Sequence, residues 1–423
     1  MAATTSTTVR GRRWDLNDLE RRLCHALDIA RQAIERLATH GYTDSEEPSN
    51  NLRPEKVITE TALLLYVTSK AAHLEQVQAR IRSLAELLIP HARSNRMLLG
   101  ICLEPALAWD YAQAHVLLRK LGYPNAKFDA VLEQATRSQV SAGHERTPYR
   151  VLEQQWIKEV WNNSRNGNHR RISSPAHASV LGQSIDLLSS SREDVYAFTH
   201  ALMYVTDFNI KPQRLPRPRR VILTEAEAAL AFCLDEQDYD LGGEVLLAWP
   251  LTGKSWSAAA TFGFRVLASV EDKAGFLPTP GTRLDRLNKL EGDERAAYLL
   301  ATVYHTAYVM GLLCAAALAG DRTPPAKIQT RGAVHGSAQI LLPFLEAQER
   351  NPHWRDELEL LNDSERDAIA GLLLSMALRH KTKQRDFAAV HQLLSIGYSL
   401  GLADNPASSQ AAEMLERIAT FAQ

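Results

Sequence analysis

The sequence has few cysteines and no surplus of charge of either sign, and each lack excludes a class of protein. Its 423 residues include only four cysteines, each alone in the sequence. This spacing provides neither a disulfide framework nor a paired-cysteine zinc knuckle, and it is typical of a reducing compartment. The 48 basic and 49 acidic side chains leave a net charge of −1, so the surface as a whole is not built to attract nucleic acid. We therefore predict a cytoplasmic protein without a nucleic-acid partner.

Long hydrophobic runs are also missing. No uninterrupted apolar run approaches the roughly 20 residues that cross a bilayer, and the longest candidate, 307–320, lies in the middle of the chain. Residues 1–13 are rich in Ser, Thr and Arg and lack the apolar core of a secretory signal. We predict a soluble protein with no membrane partner and a disordered tail over residues 1–13.

Helical periodicity, in contrast, runs through almost the whole sequence. Apolar residues recur at spacings of three and four. Over 74–88, one face of the predicted helix consists of Leu74, Val77, Ile81, Leu84, Leu87 and Leu88. Similar segments follow one another, including 178–190 and 241–250, and an alternation of period two is nowhere sustained. The predicted fold class is all-α.

Residues 209–220 are the best candidate for a linker. They contain three prolines and five basic residues, and each proline disfavours helix at the residue before it. This segment divides the chain into N-terminal helical repeats, 14–208, and C-terminal helical repeats, 221–423, which we expect to pack on the same core. The polar stretches 41–54 and 162–175 are predicted to be exposed loops.

A short pattern centred on histidine recurs about every 90 residues. The histidines of its four copies are His115, His200, His305 and His391. Three copies place an aromatic residue one helical turn before the histidine, at Tyr111, Tyr196 and Phe387. A repeat of this length holds three or four helices. The pattern therefore predicts either an α/α toroid with a central cavity or a strongly curved helical solenoid.

A second type of helix recurs between the histidine helices and carries a glutamate near its start. The glutamates of these helices are Glu60, Glu153, Glu225 and Glu365. Acidic side chains in a first helical turn pair with free backbone amides and with the positive end of the helix dipole. We interpret these glutamates as capping residues.

The repeated histidines are the strongest indication of chemistry. If their helices line one concave surface, the imidazoles project toward a shared axis, where they can act as acids and bases near neutral pH. The alternative is that each imidazole only packs against a neighbouring helix. No cofactor is predicted, because no HExxH or HxH pair supplies two metal ligands from one helix. Zinc or another transition metal is the alternative.

Two of the histidine helices carry further polar groups on the histidine's face. Tyr204 and Asp207 follow His200 at i+4 and i+7, and His305 lies between Tyr304 and Tyr308. The residues predicted to be catalytic are His200, Asp207, Tyr204, His305 and Tyr304. The residues predicted to bind substrate are His115, Tyr111, Tyr196, His391 and Tyr308.

The acidic segment 235–240 has a superficial likeness to the aspartate-rich metal-diphosphate motifs of terpene synthases. Its spacing does not match DDxxD, and it borders Gly242 and Gly243. We therefore predict that this segment is an exposed loop that joins two helices.

The strings at 196–208, 238–248 and 304–313 carry a family resemblance. They resemble a family of uncharacterised all-helical proteins from streptomycetes and other actinobacteria, some of which are encoded near natural-product biosynthesis genes. The resemblance covers residues 190–320 well and the remainder loosely. It implies an actinobacterial, cytoplasmic setting and a role in specialised metabolism. It brings no established activity, so no catalytic residue is carried over from it.

The sequence thus predicts a helical protein that binds a small molecule or a peptide. As an enzyme it would use the predicted histidine, aspartate and tyrosine residues for acid–base tailoring or cyclisation of a natural-product intermediate. The alternative is a helical-repeat scaffold for protein interactions, without catalysis. A homo-oligomer is compatible with both hypotheses. Convergence of the four histidines on one cavity distinguishes the enzyme from the scaffold.

Overall fold

The computed structural model describes residues 15–37, 54–71, 73–162, 174–189, 191–209, 214–345 and 352–421. Within these ranges the regular structure is helical and contains no strand, which confirms the all-α class. The predicted tail, 1–13, lies outside the described residues, as do residues 210–213 of the predicted linker and most of both predicted loops.

The α-helices range from 4 to 28 residues and follow one another closely. In the described ranges the α-helices are α1 (Leu16–Glu35), α2 (Pro54–Thr68), α3 (Glu75–Ala92), α4 (Asn95–Leu103), α5 (Ala108–Lys120), α6 (Ala126–Thr136), α7 (Pro148–Trp161), α8 (Ser174–Ala178), α9 (Arg192–Thr206), α10 (Arg219–Asp235), α11 (Tyr239–Leu246), α12 (Ala248–Thr252), α13 (Ala258–Ala274), α14 (Leu284–Leu287), α15 (Gly292–Ala319), α16 (Ser337–Leu341), α17 (His353–Glu359), α18 (Asp363–Ala368), α19 (Ala370–Lys383), α20 (Phe387–Ser399) and α21 (Pro406–Phe421). Short 3-10 helices lie at Ser69–Ala71, Pro105–Leu107, Gln139–Ala142, Val180–Gly182, Asp207–Asn209 and Leu342–Leu345.

Local capping explains where several of these helices begin. The side chains of Ser94, Asn125 and Ser191 each accept a backbone N–H of the first turn of α4, α6 and α9. Asp238 does the same for α11. Such side chains satisfy amides that have no partner within the helix, so the sequence encodes these starts locally.

Six helices of the described chain contact one another in closed order. α2 packs on α5, α5 on α7, α7 on α9, α9 on α11, α11 on α15, and α15 again on α2. Three of the four histidine helices, α5, α9 and α15, belong to this order, whereas α20 packs on α19 and α21. Buried apolar side chains from both sides of the predicted linker belong to one continuous core.

Glycines allow α15 to approach its neighbours closely. A Cβ atom on Gly243 of α11 would lie 2.6 Å from Cγ1 of Val309, and one on Gly311 would lie 2.7 Å from Cβ of Ala26. Both distances are far below van der Waals contact. The absence of a side chain at these two positions therefore sets how near α11 and α1 come to α15.

α15 is long and apolar enough, by length and composition, to cross a membrane. It spans 28 residues and is thus longer than the uninterrupted apolar run 307–320 within it. In its most hydrophobic stretch, 78% is buried inside the protein. It is the only such helix in the part of the chain that the structure describes. Its burial is that of a core helix.

Two local predictions are wrong. The segment 178–190 is not a continuous helix, because the side chain of Asp186 accepts the backbone N–H groups of Leu188 and Ser189 and forms a turn instead. The segment 235–240 is not an exposed loop, since Asp238 and Asp240 are buried at the start of α11.

Candidate functional site

A cavity of about 660 Å³ lies among the six helices of the closed order. Residues of α2, α5, α7, α9, α11 and α15 line most of it. Its volume is within the range of about 300–1,000 Å³ that is typical of sites for small organic ligands. Six of the ten predicted site residues line this cavity: Tyr111, Tyr196, His200, Tyr204, His305 and Tyr308.

His305 of α15 has carboxylates on both sides of its ring. Its Nδ1 lies 3.1 Å from Oε2 of Glu60 on α2. Its Nε2 lies 3.4 Å from Oδ1 of Asp240 and 3.9 Å from Oε1 of Glu244, both on α11. Asp240 and Glu244 are four residues apart and so project from the same face of α11. Three helices therefore meet at this imidazole.

His200 of α9 approaches Glu244 from another side. Its Nδ1 lies 3.4 Å from Oε2 of Glu244 and 3.1 Å from the carbonyl oxygen of Tyr196. Because a carbonyl oxygen only accepts hydrogen bonds, Nδ1 carries the proton and Nε2 is the basic nitrogen of the neutral ring. Nε2 makes no hydrogen bond to any residue that the structure describes. We call Glu60, His200, Asp240, Glu244 and His305 the carboxylate–histidine cluster.

The carboxylates of α11 are almost fully withdrawn from solvent. Asp240 is 5% exposed and Glu244 is 3% exposed. Arg192 donates to Oδ2 of Asp240 at 2.9 Å, and Thr199 donates to Oε2 of Glu244 at 2.6 Å. Burying charged groups costs free energy even when they are paired. An arrangement of this kind beside a cavity is therefore a candidate functional site.

The contacts shift the pKa values within the cluster in different directions. Burial lowers the pKa of His305, but the carboxylates of Asp240 and Glu60 outweigh burial and raise this pKa to about 10. Burial raises the pKa of Glu60, but the charge of His305 outweighs it and lowers this pKa to about 2. Burial raises the pKa of Asp240, whereas the neighbouring histidines outweigh burial at Glu244 and lower its pKa. His305 is therefore an imidazolium between carboxylates at neutral pH.

The tyrosines of the cavity wall are held by acidic residues. Tyr204 donates to Oε1 of Glu153 at 2.7 Å, and Arg150 donates to Oε2 of the same carboxylate at 2.6 Å. Burial, together with Glu153, raises the pKa of Tyr204 well above its ordinary value. Tyr111 donates to Glu104 at 2.7 Å. These tyrosines are therefore neutral phenols in fixed positions.

The cations of the wall also have acidic partners. Arg146 lies 2.7 Å from Asp110, and Arg96 pairs with Glu55. Such pairing leaves the wall without a concentration of positive charge. The cavity is therefore not arranged as a trap for a strongly anionic ligand.

The structure places two predicted catalytic residues outside the cavity lining. α9 ends at Thr206, and Asp207 takes a left-handed conformation with φ of 47°. Its carboxylate accepts hydrogen bonds from Tyr66 at 3.2 Å and Trp156 at 2.6 Å. The i+7 spacing therefore does not bring Asp207 to His200. Tyr304 is buried, and its hydroxyl helps to lower the pKa of the Glu60 carboxyl.

Two of the repeated histidines also lie elsewhere. His115 is fully buried, where Arg93 donates to its Nδ1 at 3.1 Å and its Nε2 lies 2.7 Å from Asp129. Its ring packs on Phe128 with centroids 4.2 Å apart. His391 is exposed on α20. The structure thus brings His200 and His305 to one cavity and separates His115 and His391 from it.

The repeated glutamates are mostly not the capping residues that their positions in the sequence predict. Glu60, Glu153 and Glu225 lie beyond the first turns of α2, α7 and α10, too far in to cap these helices. Capping is correct for Glu365, which completes a capping box with Asn362. Two of the three exceptions, Glu60 and Glu153, line the cavity instead.

The carboxylates of α11 were not among the predicted site residues. The signal that could have found Asp240 and Glu244 is their i, i+4 spacing, which places two acids on one face of a helix. The prediction of a loop over 235–240 obscured this spacing.

Comparison with known proteins gives one match. A family model described as a domain of unknown function, DUF6895, matches residues 23–315. This range includes every residue that lines the cavity. No curated protein and no solved structure matches the chain.

Proposed function

Because the chain belongs to the DUF6895 family, whose description assigns no activity, we propose a function from the cavity: an enzyme that binds a small organic molecule and transfers a proton to or from it. The observation that carries the proposal is the placement of His200 and His305 against one shared, buried carboxylate, that of Glu244, in one cavity. General acid–base catalysis needs such groups within hydrogen-bonding reach of a bound molecule.

In this proposal His200 is the catalytic base. Its Nδ1–H is directed at the carbonyl of Tyr196, so its Nε2 can accept a proton from a ligand. Glu244 lies beside the same ring and stabilises the imidazolium that forms. Tyr204 gives its single O–H to Glu153, so its phenol oxygen is placed to accept a hydrogen bond from the ligand.

The arrangement of helices supports an α/α toroid as the finer fold. The closed order from α2 to α15 surrounds a cavity, as the inner helices of a toroid do. An open solenoid has no contact between its first and last units. The contact of α15 with α2 therefore favours the toroid over the solenoid.

The dimensions and charge of the cavity narrow the substrate class. A volume of about 660 Å³ suits a small organic molecule better than a peptide of several residues. The paired cations of the wall favour a polar molecule of low net charge. In the cytoplasmic, specialised-metabolism setting that the resemblance implies, the reaction is a tailoring or cyclisation step.

Only two of the four histidines meet the criterion of convergence on one cavity, because His391 is exposed and His115 is buried outside the cavity lining. The scaffold hypothesis expects every repeated histidine to be a packing element. His115 fits this expectation, because all of its contacts are structural. His200 and His305 do not, since both line the cavity and contact its buried carboxylates.

A ligand screen followed by substitution tests the proposal. The screen selects compounds that raise the Tm of the wild type. Binding of these compounds is then measured with M203W, in which the larger side chain fills the cavity. H391Q, which changes an exposed histidine outside the cavity lining, is the control. We expect M203W to weaken binding at least about 10-fold and H391Q to leave it unchanged. If the screen finds no compound whose binding M203W weakens, the result would contradict the binding of a small molecule in the cavity.

Turnover of a cavity ligand then separates an enzyme from a binding protein. We expect H200Q to slow conversion of that ligand by about 10²- to 10⁴-fold, the usual contribution of a general base. Conversion at the wild-type rate by H200Q would overturn the assignment of His200.

A further inference from the structure

We propose that Asp240, Glu244 and His305 bind one divalent transition-metal cation. One potential donor atom from each of these side chains lies within 4.8 Å of the others. The inference deepens the proposed function and rests on it, because the cation would lie where Glu244 and His305 line the cavity.

The second polar atom of each side chain is already held in place. Oδ2 of Asp240 accepts from Arg192, and Oε2 of Glu244 accepts from Thr199. Nδ1 of His305 donates to Glu60. The atoms that remain, Oδ1, Oε1 and Nε2, are those that face one another at 3.4 and 3.9 Å. The cluster thus presents three oriented donors toward one point.

A buried oxygen without a hydrogen bond supports the same conclusion. Among the described residues, none donates a hydrogen bond to Oδ1 of Asp240, although this atom is buried. Nε2 of His305 lies 3.4 Å away but is not aligned as a donor to it. Buried carboxylate oxygens are nearly always satisfied. A cation at this point would satisfy Oδ1 and both of its neighbours at once.

Glu60 has the position of an outer partner of a metal-bound histidine. Histidines that bind metals commonly donate their second ring N–H to a carboxylate, which fixes the tautomer and orients the ring. The Nδ1 to Glu60 distance of 3.1 Å meets this requirement and leaves Nε2 as the ligand atom. In the metal-free protein Nε2 carries a proton, which the incoming cation displaces into solvent.

The donor set indicates the class of metal. An imidazole nitrogen with two carboxylate oxygens suits Zn²⁺, Fe²⁺ or Mn²⁺, whereas Ca²⁺ and Mg²⁺ prefer oxygen donors alone. Three protein ligands leave coordination positions for water or for an oxygen of the substrate. The inferred site is thus of the open kind that catalytic metals occupy.

Metal content tests the inference directly. Bound metal is first removed from the full chain with EDTA. Separate samples are then loaded with Zn²⁺, with Mn²⁺ or, in the absence of oxygen, with Fe²⁺. After desalting, the metal content per chain is measured by plasma mass spectrometry. We expect about one equivalent of at least one of these metals in the wild type. We expect D240N, E244Q and H305Q to lose it, and E60Q to bind about 10- to 100-fold more weakly.

D129N is the matched control, because Asp129 also pairs with a buried histidine, His115, but lies outside the cavity lining. It should retain the metal. Visible absorption of Co²⁺ added to the wild type gives a readout that does not depend on the folding of any variant. A wild type that retains none of the metals and gives no Co²⁺ ligand-field bands would overturn the inference. Equal metal content in D240N and the wild type would also overturn it.

The two proposals fail in different ways. A cavity ligand that still binds with EDTA present, in a protein that retains no metal, would overturn the metal site alone. A protein that retains one metal but has no cavity ligand would overturn the proposed function alone.

Discussion

At the scale of single residues, His115 and His305 show how surroundings determine what a histidine does. Both contact a carboxylate, but His115 is fully buried, whereas the side chain of His305 is 23% exposed. His115 also faces the guanidinium of Arg93, and its pKa is lowered, mainly by burial. His305 faces carboxylates from two helices, which outweigh burial and raise its pKa to about 10. One sequence pattern therefore yields a packing residue in one copy and a charged site residue in another.

Arg22 provides a residue-scale prediction. Its side chain is fully buried and donates to Asp18 and Asp272, each at 2.9 Å, and to Glu271. R22M leaves the buried carboxylate of Glu271 without this partner, so we expect a loss of about 3–5 kcal/mol in the free energy of unfolding. Urea unfolding followed by circular dichroism measures this loss.

The neighbouring arginine is the control for R22M. The side chain of Arg21 is more than half exposed, and it contacts Asp18 and Asp272, two of the three acidic residues that Arg22 contacts. We expect R21M to cost less than about 1 kcal/mol, as is usual for a surface ion pair. Equal losses in R21M and R22M would show that burial of the network does not matter.

At the scale of elements, α11 is the helix on which the site depends. It is only eight residues long, yet it supplies Asp240 and Glu244 and packs on α9, α10, α13 and α15. Its two glycines are in different surroundings. Gly243 faces Val309 of α15, whereas a Cβ atom on Gly242 would lie 3.5 Å from Cβ of Cys233, an ordinary contact.

The two glycines of α11 should therefore respond in opposite ways to alanine. G243A places a methyl group against the stiff side chain of Val309, so we expect a destabilisation of about 1–3 kcal/mol. G242A fits its surroundings and removes a flexible helical glycine, so we expect a gain of about 0.5–1 kcal/mol. Thermal unfolding of both variants measures the difference. A loss of stability in G242A as large as that in G243A would contradict the close approach of α11 to α15.

At the scale of the whole molecule, the closed order of helices joins the two predicted halves. α2, α5, α7 and α9 precede the predicted linker, and α11 and α15 follow it. The cluster takes Glu60 and His200 from the first half and Asp240, Glu244 and His305 from the second. The site therefore exists only where the two halves pack together.

This arrangement predicts a single cooperative unfolding transition. Because both halves share one core, neither should retain its structure when the other unfolds. Hydrogen exchange at increasing urea, analysed by mass spectrometry of peptides, reports each half separately. We expect peptides of α5 and α13 to lose protection at the same urea concentration. Separate midpoints for the two halves would contradict the shared core.

Much of the helical structure was predictable, because helix formation depends on residues three and four apart and on local caps such as Ser191. The prediction of 178–190 as helix was wrong where a side chain, Asp186, competes for backbone amides. Tyr196, Tyr204 and His200 reached the cavity together because they share one helical face. Asp207 did not, because the helix ends before it.

The all-α class, the positions of most helices and the recurrence of histidine all follow from the order of residues, because each depends on neighbours along the chain. Which histidines share a cavity, and which carboxylates they meet, follows only from the packing of distant segments. Glu60 and His305 are 245 residues apart in the sequence, and no local pattern links them. Their pairing and the charge of the site depend on how α2, α11 and α15 pack, because electrostatic interactions follow distance in space and burial rather than order in the chain.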